Sequence, residues 1–222
     1  MTDQPSSRWP PTFLRSAGIG LGLGLLCFLL STLPLIPGPR ALTGLGTFIL
    51  EVGVLLVFFP VAAVLALPVF AFVAIFSSER KPWARRWLVL CLTVILGVWL
   101  GILGDVPVRR ARFSAATARA GPVIQAIEAH RAATGRWPES LETLLPSRLS
   151  APPATGMIAY PEFRYKLPVQ GNESFKNYEL SISCPRGVLN FDVFVYWPEK
   201  VYPDSMYGGW VERIGDWAYV HE

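Results

Sequence analysis

Three long stretches in the first half of the chain carry no charged side chain, and after them the apolar positions fall into short periodic runs. The first stretch runs from Ser16 to Pro39, 24 residues with AGIGLGLGLLCFLLSTLPLI at its centre. A helix rises ~1.5 Å per residue, so ~20 apolar residues span a bilayer core, and residues 16–37 predict a membrane-spanning helix. A secretory signal sequence is the competing reading, but its apolar core is usually only ~7–15 residues long. This stretch is longer and ends in Pro34, Pro37 and Pro39, which favours a retained span.

The second uncharged stretch, Val52 to Ser78, has 27 residues and follows an apolar lead-in from Leu42 that contains Glu51. A carboxylate is costly at mid-bilayer, so Glu51 belongs at the interface and the span covers about residues 52–77. Pro60 and Pro68 each remove a backbone hydrogen bond and predict one tilted, kinked helix, with a re-entrant segment as the alternative. As a lone intramembrane acid Glu51 has no His or acidic partner in any span, so a proton- or ion-binding role has no support. The third stretch, Trp87 to Gly104, holds 18 residues, just enough to cross.

Between the second and third spans lies SSERKPWARRW, where Arg80, Lys81, Arg85 and Arg86 face only Glu79. Basic loops are retained in the cytoplasm, which puts residues 1–15 inside and residues 105–222 on the extracytoplasmic side. Arg109, Arg110 and Arg112 just past the third span pull the other way. Near-membrane basic residues then number six inside and four outside. Small residues repeat at four-residue spacing, as Gly18/Gly22 and Gly20/Gly24 in the first span and Gly97/Gly101 in the third. Such pairs let helix backbones approach closely, either among the chain's own helices or in an oligomer.

Beyond Pro107, which permits a helix break, VRRARFSAATARAGPVIQAIEAHRAATG has helical period. Phe113, Ala116, Ala120, Val123/Ile124 and Ile127 make one apolar stripe, and Gly135 marks its end. LETLL, bounded by Pro138 and Pro146, predicts a second, short helix, and Pro152, Pro153 and Gly156 a loop. The period then shortens. FRYKL (163–167), YELSISC (178–184) and VLNFDVFVYW (188–197) read as strands, with Pro185-Arg186-Gly187 a tight turn between the last two. WVERIGDWAYVHE adds a final candidate in which Gly215-Asp216 closes a hairpin or marks a bulge. The predicted fold class is therefore a membrane protein: three transmembrane helices (16–104), then an α+β domain (105–222) with one amphipathic helix on an antiparallel sheet of three to four strands.

Composition agrees with this division. Of the 222 residues 52% are hydrophobic and only 16% charged, against ~25% charged in ordinary soluble domains. Residues 1–104 hold seven Lys/Arg and three Asp/Glu, and residues 105–222 thirteen of each, so the whole net charge of +4 sits in the hydrophobic half. That placement argues for a bilayer and against a nucleic-acid partner.

Cys27 and Cys91 lie in spans and Cys184 stands alone in the polar half, so no disulfide forms within that domain. With only His130 and His221 in the chain, Cys184 reads as a small buried hydrophobe rather than a nucleophile. No metal-binding, triad or phosphate-loop motif occurs, and neither a catalytic residue nor a cofactor is expected. The aromatic tail offers a candidate protein-contact patch: Tyr202, Met206, Tyr207 and Trp210, in the loop-like VYPDSMYGGW. The alternatives are that these side chains fill the sheet's core or lie at the bilayer interface.

The stretch AIEAHRAATGRWPESLETLLPSRLSAPP, followed by FRYKL and YELSI, resembles the globular core of type IV pilin-like proteins, and most of all the type II secretion major pseudopilin (G-type). Ala126, Ile127, Gly135, Pro138, Leu141, Leu144 and Pro146 fall on that pattern, with His130 and Trp137 at its aromatic positions. The likeness covers roughly residues 108–184 and implies that Trp137 and the leucines pin a short helix to the sheet. The prepilin cleavage motif with its Glu is missing, and two extra spans precede the domain, so processing and filament assembly are not expected. No calcium loop is recognisable, and no metal residue carries over. The expected function is a non-enzymatic one: a bacterial inner-membrane protein presenting a periplasmic, pilin-like domain to a protein partner or a second copy, in envelope assembly or secretion. The alternatives are an immunity-type protein that neutralises an envelope-acting toxin, or a subunit of a membrane-bound enzyme or transporter.

Overall fold

In the computed structural model the chain forms α1 (Pro11–Thr32), α2 (Thr43–Leu55), α3 (Phe58–Phe76) and α4 (Lys81–Thr134), and then a six-stranded antiparallel sheet. The strands are β1 (Arg164–Lys166), β2 (Glu179–Ser183), β3 (Val193–Tyr196), β4 (Ser205–Met206), β5 (Gly209–Ile214) and β6 (Trp217–His221), in the order β1-β2-β3-β6-β5-β4. The structure describes residues 11–56, 58–168, 175–186 and 190–222. Most of the predicted segment 1–15, Gly187 of the predicted turn, and Val188 and Leu189 at the head of the third predicted strand lie outside the described residues. Among the described residues, three helical stretches are long and apolar enough to cross a membrane: Phe13–Leu35, Arg40–Phe76 and Lys81–Thr134.

The residues divide into two units, Met1–Ser31 with Val52–Val106, and Thr32–Glu51 with Pro107–Glu222. In the first, α1, α3 and the opening half of α4 pack around Ala63, Cys91 and Val94, with Leu23, Leu67 and Phe70 against them. Glycines bring α1 and α4 together. A Cβ added to Gly24 would overlap the Gly97 carbonyl, and one added to Gly97 or Gly101 would overlap the carbonyl of Gly20 or Gly24. Thr93 Oγ1 adds a bond to the Ser16 carbonyl at 2.9 Å. Within the chain the seam uses Gly20 and Gly24 with Gly97 and Gly101, whereas Gly18 and Gly22 have no neighbour within 4 Å of an added Cβ and make no intrachain helix contact of this kind. Both pairs have the same spacing, and a helix apolar all round carries no polar face to fix its rotation.

The second unit is built on the rest of α4. Phe113, Ala116, Ala120, Val123 and Ile127 are all buried against Leu180 and Ile182 of β2, Phe194 and Tyr196 of β3, and Trp217 and Tyr219 of β6. The helix ends where Gly135 takes φ +74° and its N–H bonds the Arg131 carbonyl at 2.8 Å. Less expected is the segment between the first two apolar helices. Leu35 is fully buried in this same core. The N–H groups of Ile158 and Ala159 bond the carbonyls of Ile36 and Pro34 at 3.2 and 3.1 Å, and Gly46 of α2 meets the Ala159 backbone.

Several expectations are revised. Residues 32–51 belong to the sheet unit, so that unit is more than residues 105–222. The apolar stretch after Arg40 is two helices, α2 and α3, rather than one kinked helix. Pro60 is the third residue of α3, within the first turn, where its missing N–H has no helical acceptor to lose. α4 runs through both Pro107 and Pro122 without ending. LETLL makes only a single 3-10 turn, Glu142–Leu144. The sheet has six strands, because VYPDSMYGGW contributes β4 and the start of β5 rather than a loop alone. Tyr207 and Gly208 both have positive φ, 54° and 89°, the two-residue turn that suits the twist of a hairpin.

Candidate functional site

The register of the sheet sends alternate residues to opposite faces, and the face away from α4 has its own small cluster. Val195, Trp197, Met206 and Val220 are buried there, with Phe175, Tyr202 and Val211 packed against them. Glu179, 1% exposed, lies on this face. Its carboxylate accepts from Trp197 Nε1 at 3.2 Å and from the Tyr207 hydroxyl, with Lys166 Nζ 3.7 Å away. Burial and the Glu179 carboxylate both raise the Tyr207 phenol, which therefore stays a donor.

These contacts decide what the four candidate partner residues do. Met206 is buried, so its expected place in an exposed patch is corrected. Tyr202 is half-buried, its ring stacked on Trp197 at 5.1 Å and covered by the Arg213 guanidinium at 4.5 Å. Its hydroxyl accepts from the Trp197 N–H at 2.9 Å and donates to the Asp216 carbonyl at 2.9 Å. Tyr207 is 40% exposed but tied by its hydroxyl, and Trp210 is 58% exposed, stacked on His221 with centroids 3.8 Å apart. Trp210 is thus the free face of the four. Trp137 is half-buried, edge-on to Tyr178 at 5.0 Å, with the Arg131 guanidinium 4.0 Å over its ring.

A cleft of about 690 Å³ opens in the same unit. One wall is a face of α2 carrying Thr43, Thr47 and Glu51 at steps of four, with Leu50 beside them and Arg40 just ahead of the helix. Opposite stand Tyr160 and Glu162 from the loop before β1, Arg164 of β1 and Ser183 of β2. The hydroxyl hydrogens of Thr43 and Thr47 are spent on the carbonyls of Arg40 (2.7 Å) and Gly44 (3.0 Å), so both present acceptor oxygens. Arg40 Nη2 holds the Pro153 carbonyl at 3.1 Å, whereas the side chains of Arg164, Glu51 and Glu162 have no hydrogen bond or ion pair among the described residues. Two cations and two carboxylates make the lining formally neutral and dipolar. At its floor Tyr160 donates to the Pro185 carbonyl at 2.8 Å, and burial pushes its phenol up to about 12.

The same unit holds a buried polar network. Arg109 Nη1 donates to the Tyr219 hydroxyl at 2.9 Å, which donates to Asp192 Oδ2 at 2.8 Å, with Arg186 Nε 3.4 Å from that oxygen. Asn190 Nδ2 and the Glu222 N–H complete Asp192 at 2.8 and 3.0 Å. Cys184 is fully buried beside it, its thiol pushed up to about 12 chiefly by burial, which leaves it protonated and inert at neutral pH. No group of three His, Cys, Asp or Glu able to hold a metal occurs among the described residues.

Family models, curated proteins and solved structures yield no match to this chain. Sequence reasoning missed both the cleft and the Arg109 network. The one available signal for the cleft was Thr43-x-x-x-Thr47-x-x-x-Glu51, a polar line on an otherwise apolar helix.

Proposed function

We propose that this chain is a multi-pass protein of the bacterial inner membrane that holds its sheet unit on the extracytoplasmic face as a non-enzymatic contact module. The observation that carries the reading is the burial of Leu35 in one core with Phe113 and Phe194. Residues 32–51 follow the first span and residues 107–222 follow the third. The two share a side only if the stretch from Val52 to Phe76 crosses the membrane, since a re-entrant segment would leave them on opposite sides. Their common core therefore supports three crossings and two tethers for one displayed domain. The Arg80–Arg86 loop supports the cytoplasmic placement of the connection between α3 and α4. The helix-on-sheet core is also what the pilin resemblance implies, and it is carried as fold alone.

The test is cysteine labelling in intact cells with a membrane-impermeant reagent, in a chain freed of its own cysteines. Cys at Ser205 and at Arg40 should both label, and Cys at Arg85 should not. Labelling at Arg85 alone would reverse the orientation, and labelling at Ser205 without Arg40 would remove the shared side. A photo-crosslinking residue at Trp210 then reads the contact role: a discrete adduct supports it, and none in the native membrane removes it.

A further inference from the structure

The cleft joins three properties in one unit: unpaired charge of both signs, acceptor oxygens on an α-helical wall, and an apolar outer side to that wall. Leu42, Leu45 and Phe48, on and beside α2, are 40%, 51% and 60% exposed. The next helix in the chain, α3, is apolar throughout. A single ligand matches all three features. It carries an anionic group for Arg164, a hydrogen-bond-donating cation for Glu51 and Glu162, and hydrocarbon for Leu45 and Phe48.

We propose that the cleft binds the headgroup of a zwitterionic phospholipid bearing a primary amine, of the phosphatidylethanolamine type, with an acyl chain along the outer side of α2. The phosphate pairs with Arg164 and the remaining N–H groups of Arg40, since a guanidinium fits phosphate oxygens in forked geometry. The ammonium donates to Glu51 and Glu162 and to the Thr47 oxygen, whose own hydrogen is spent within the helix. A quaternary amine has no N–H for these acceptors, and an anionic headgroup without an amine leaves both carboxylates facing like charge. The volume of about 690 Å³ lies within the usual range for a ligand site, ~300–1,000 Å³. This inference rests on the membrane reading above.

The full-length chain is purified in a mild detergent, exchanged into nanodiscs of mixed phosphatidylethanolamine, phosphatidylcholine and phosphatidylglycerol with identical chains, and its retained lipids are counted by native mass spectrometry. Phosphatidylethanolamine should be retained over phosphatidylcholine by about tenfold, which corresponds to about 1.4 kcal/mol. Glu51→Gln with Glu162→Gln should equalise those two lipids, and Arg164→Gln should weaken both. All three side chains are exposed, so the variants should keep the wild-type circular dichroism. Equal retention of the two by the wild type, or preference for phosphatidylglycerol, overturns the proposal. So does displacement of the lipid by equimolar glycerophosphoethanolamine, which would make the ligand a soluble zwitterion. Resistance of the chain to alkaline carbonate extraction separates a failed lipid site from a failed membrane reading.

Discussion

The hydroxyl of Tyr219 donates to Asp192 at 2.8 Å while accepting from Arg109 at 2.9 Å, so one phenol links a guanidinium of the helix to a carboxylate of the sheet. Tyr219 and Asp192 are 2% and 1% exposed, and a buried charge that loses a partner bears most of its desolvation cost. Tyr219→Phe keeps the ring against Phe113, 5.2 Å away, and removes only the relay. It should destabilise the sheet unit by about 1–3 kcal/mol. Asp192→Ala, which removes the acceptor of Tyr219, Asn190 and the Glu222 N–H and the carboxylate facing Arg186, should cost more, about 3–5 kcal/mol. Urea unfolding of the full chain in micelles, followed by near-ultraviolet circular dichroism, checks both. An unaffected Tyr219→Phe would mean that water replaces the relay.

Leu35 and Leu33 stand two residues apart in what the hydropathy pattern reads as the tail of one membrane span, yet Leu35 is fully buried and Leu33 is 37% exposed. Leu35→Ala should lower the stability of the sheet unit by about 2–5 kcal/mol, the usual loss for a buried leucine, while Leu33→Ala should leave it near wild type. The same urea measurement separates them. Equal effects would detach residues 32–51 from the sheet's core.

The glycine seam gives a sharper contrast, because the two registers differ only in helix rotation. Gly24→Leu and Gly97→Leu put side chains where backbone carbonyls now sit and should disrupt packing of α1 on α4. Gly18→Leu and Gly22→Leu enter open space and should be tolerated. A Cys at Ala17 paired with one on α4, crosslinked across the variants, would report the difference as lost crosslinking in the first two only.

What was legible in the sequence follows from which interactions leave a periodic trace. The stripe from Phe113 to Ile127 is visible because one α4 face meets the sheet and the other meets solvent. The Gly215-Asp216 hairpin is visible because its turn demands a residue with positive φ, here Gly215 at 61°. Leu35 and Gly46 were not legible, since an apolar residue bound for a protein core and one bound for lipid look alike. Arg109 and Asp192 are 83 positions apart, and pairs at that separation have no local signature. Strand β4 was missed because the residue opening its turn is a tyrosine rather than the expected Asn or Gly.

Cys184 predicts an alkaline limit. Its thiol pKa is ordinarily ~8.5, and burial raises it to about 12 in the folded chain. Below ~8.5 both states hold the proton and its contribution is complete; between there and about 12 only the folded state keeps it, so stability falls as pH rises. Tyr160 and Tyr202, ordinarily ~10 and raised to about 12 by burial, add to the fall above pH ~10. Unfolding midpoints should therefore decline from pH ~8.5 upward, and Cys184→Ala should flatten the first part of that decline. In a chain carrying Cys27→Ala and Cys91→Ala, a thiol reagent should react with Cys184 only after denaturation. Prompt reaction at pH 8 would contradict the burial.

Tyr207 and Trp210 are neighbours across one hairpin, and the structure gives them separate duties. Among the described residues the buried Glu179 carboxylate accepts from the Tyr207 hydroxyl and from Trp197 Nε1. Tyr207→Phe removes that hydroxyl without opening a cavity and should cost the sheet unit about 1–3 kcal/mol. The Trp210 ring stacks on His221, its ladder partner, and the residue leaves 58% of its surface to the surroundings. Trp210→Ala should change stability by less than ~1 kcal/mol, as for most exposed positions. It should nevertheless abolish any adduct formed by a photo-crosslinking residue at Val201, which is 73% exposed on the same stretch of chain. Such a loss at unchanged stability assigns Trp210 to recognition. Loss of stability with an unchanged adduct would assign the tryptophan to the fold and leave the contact to another surface of the sheet unit.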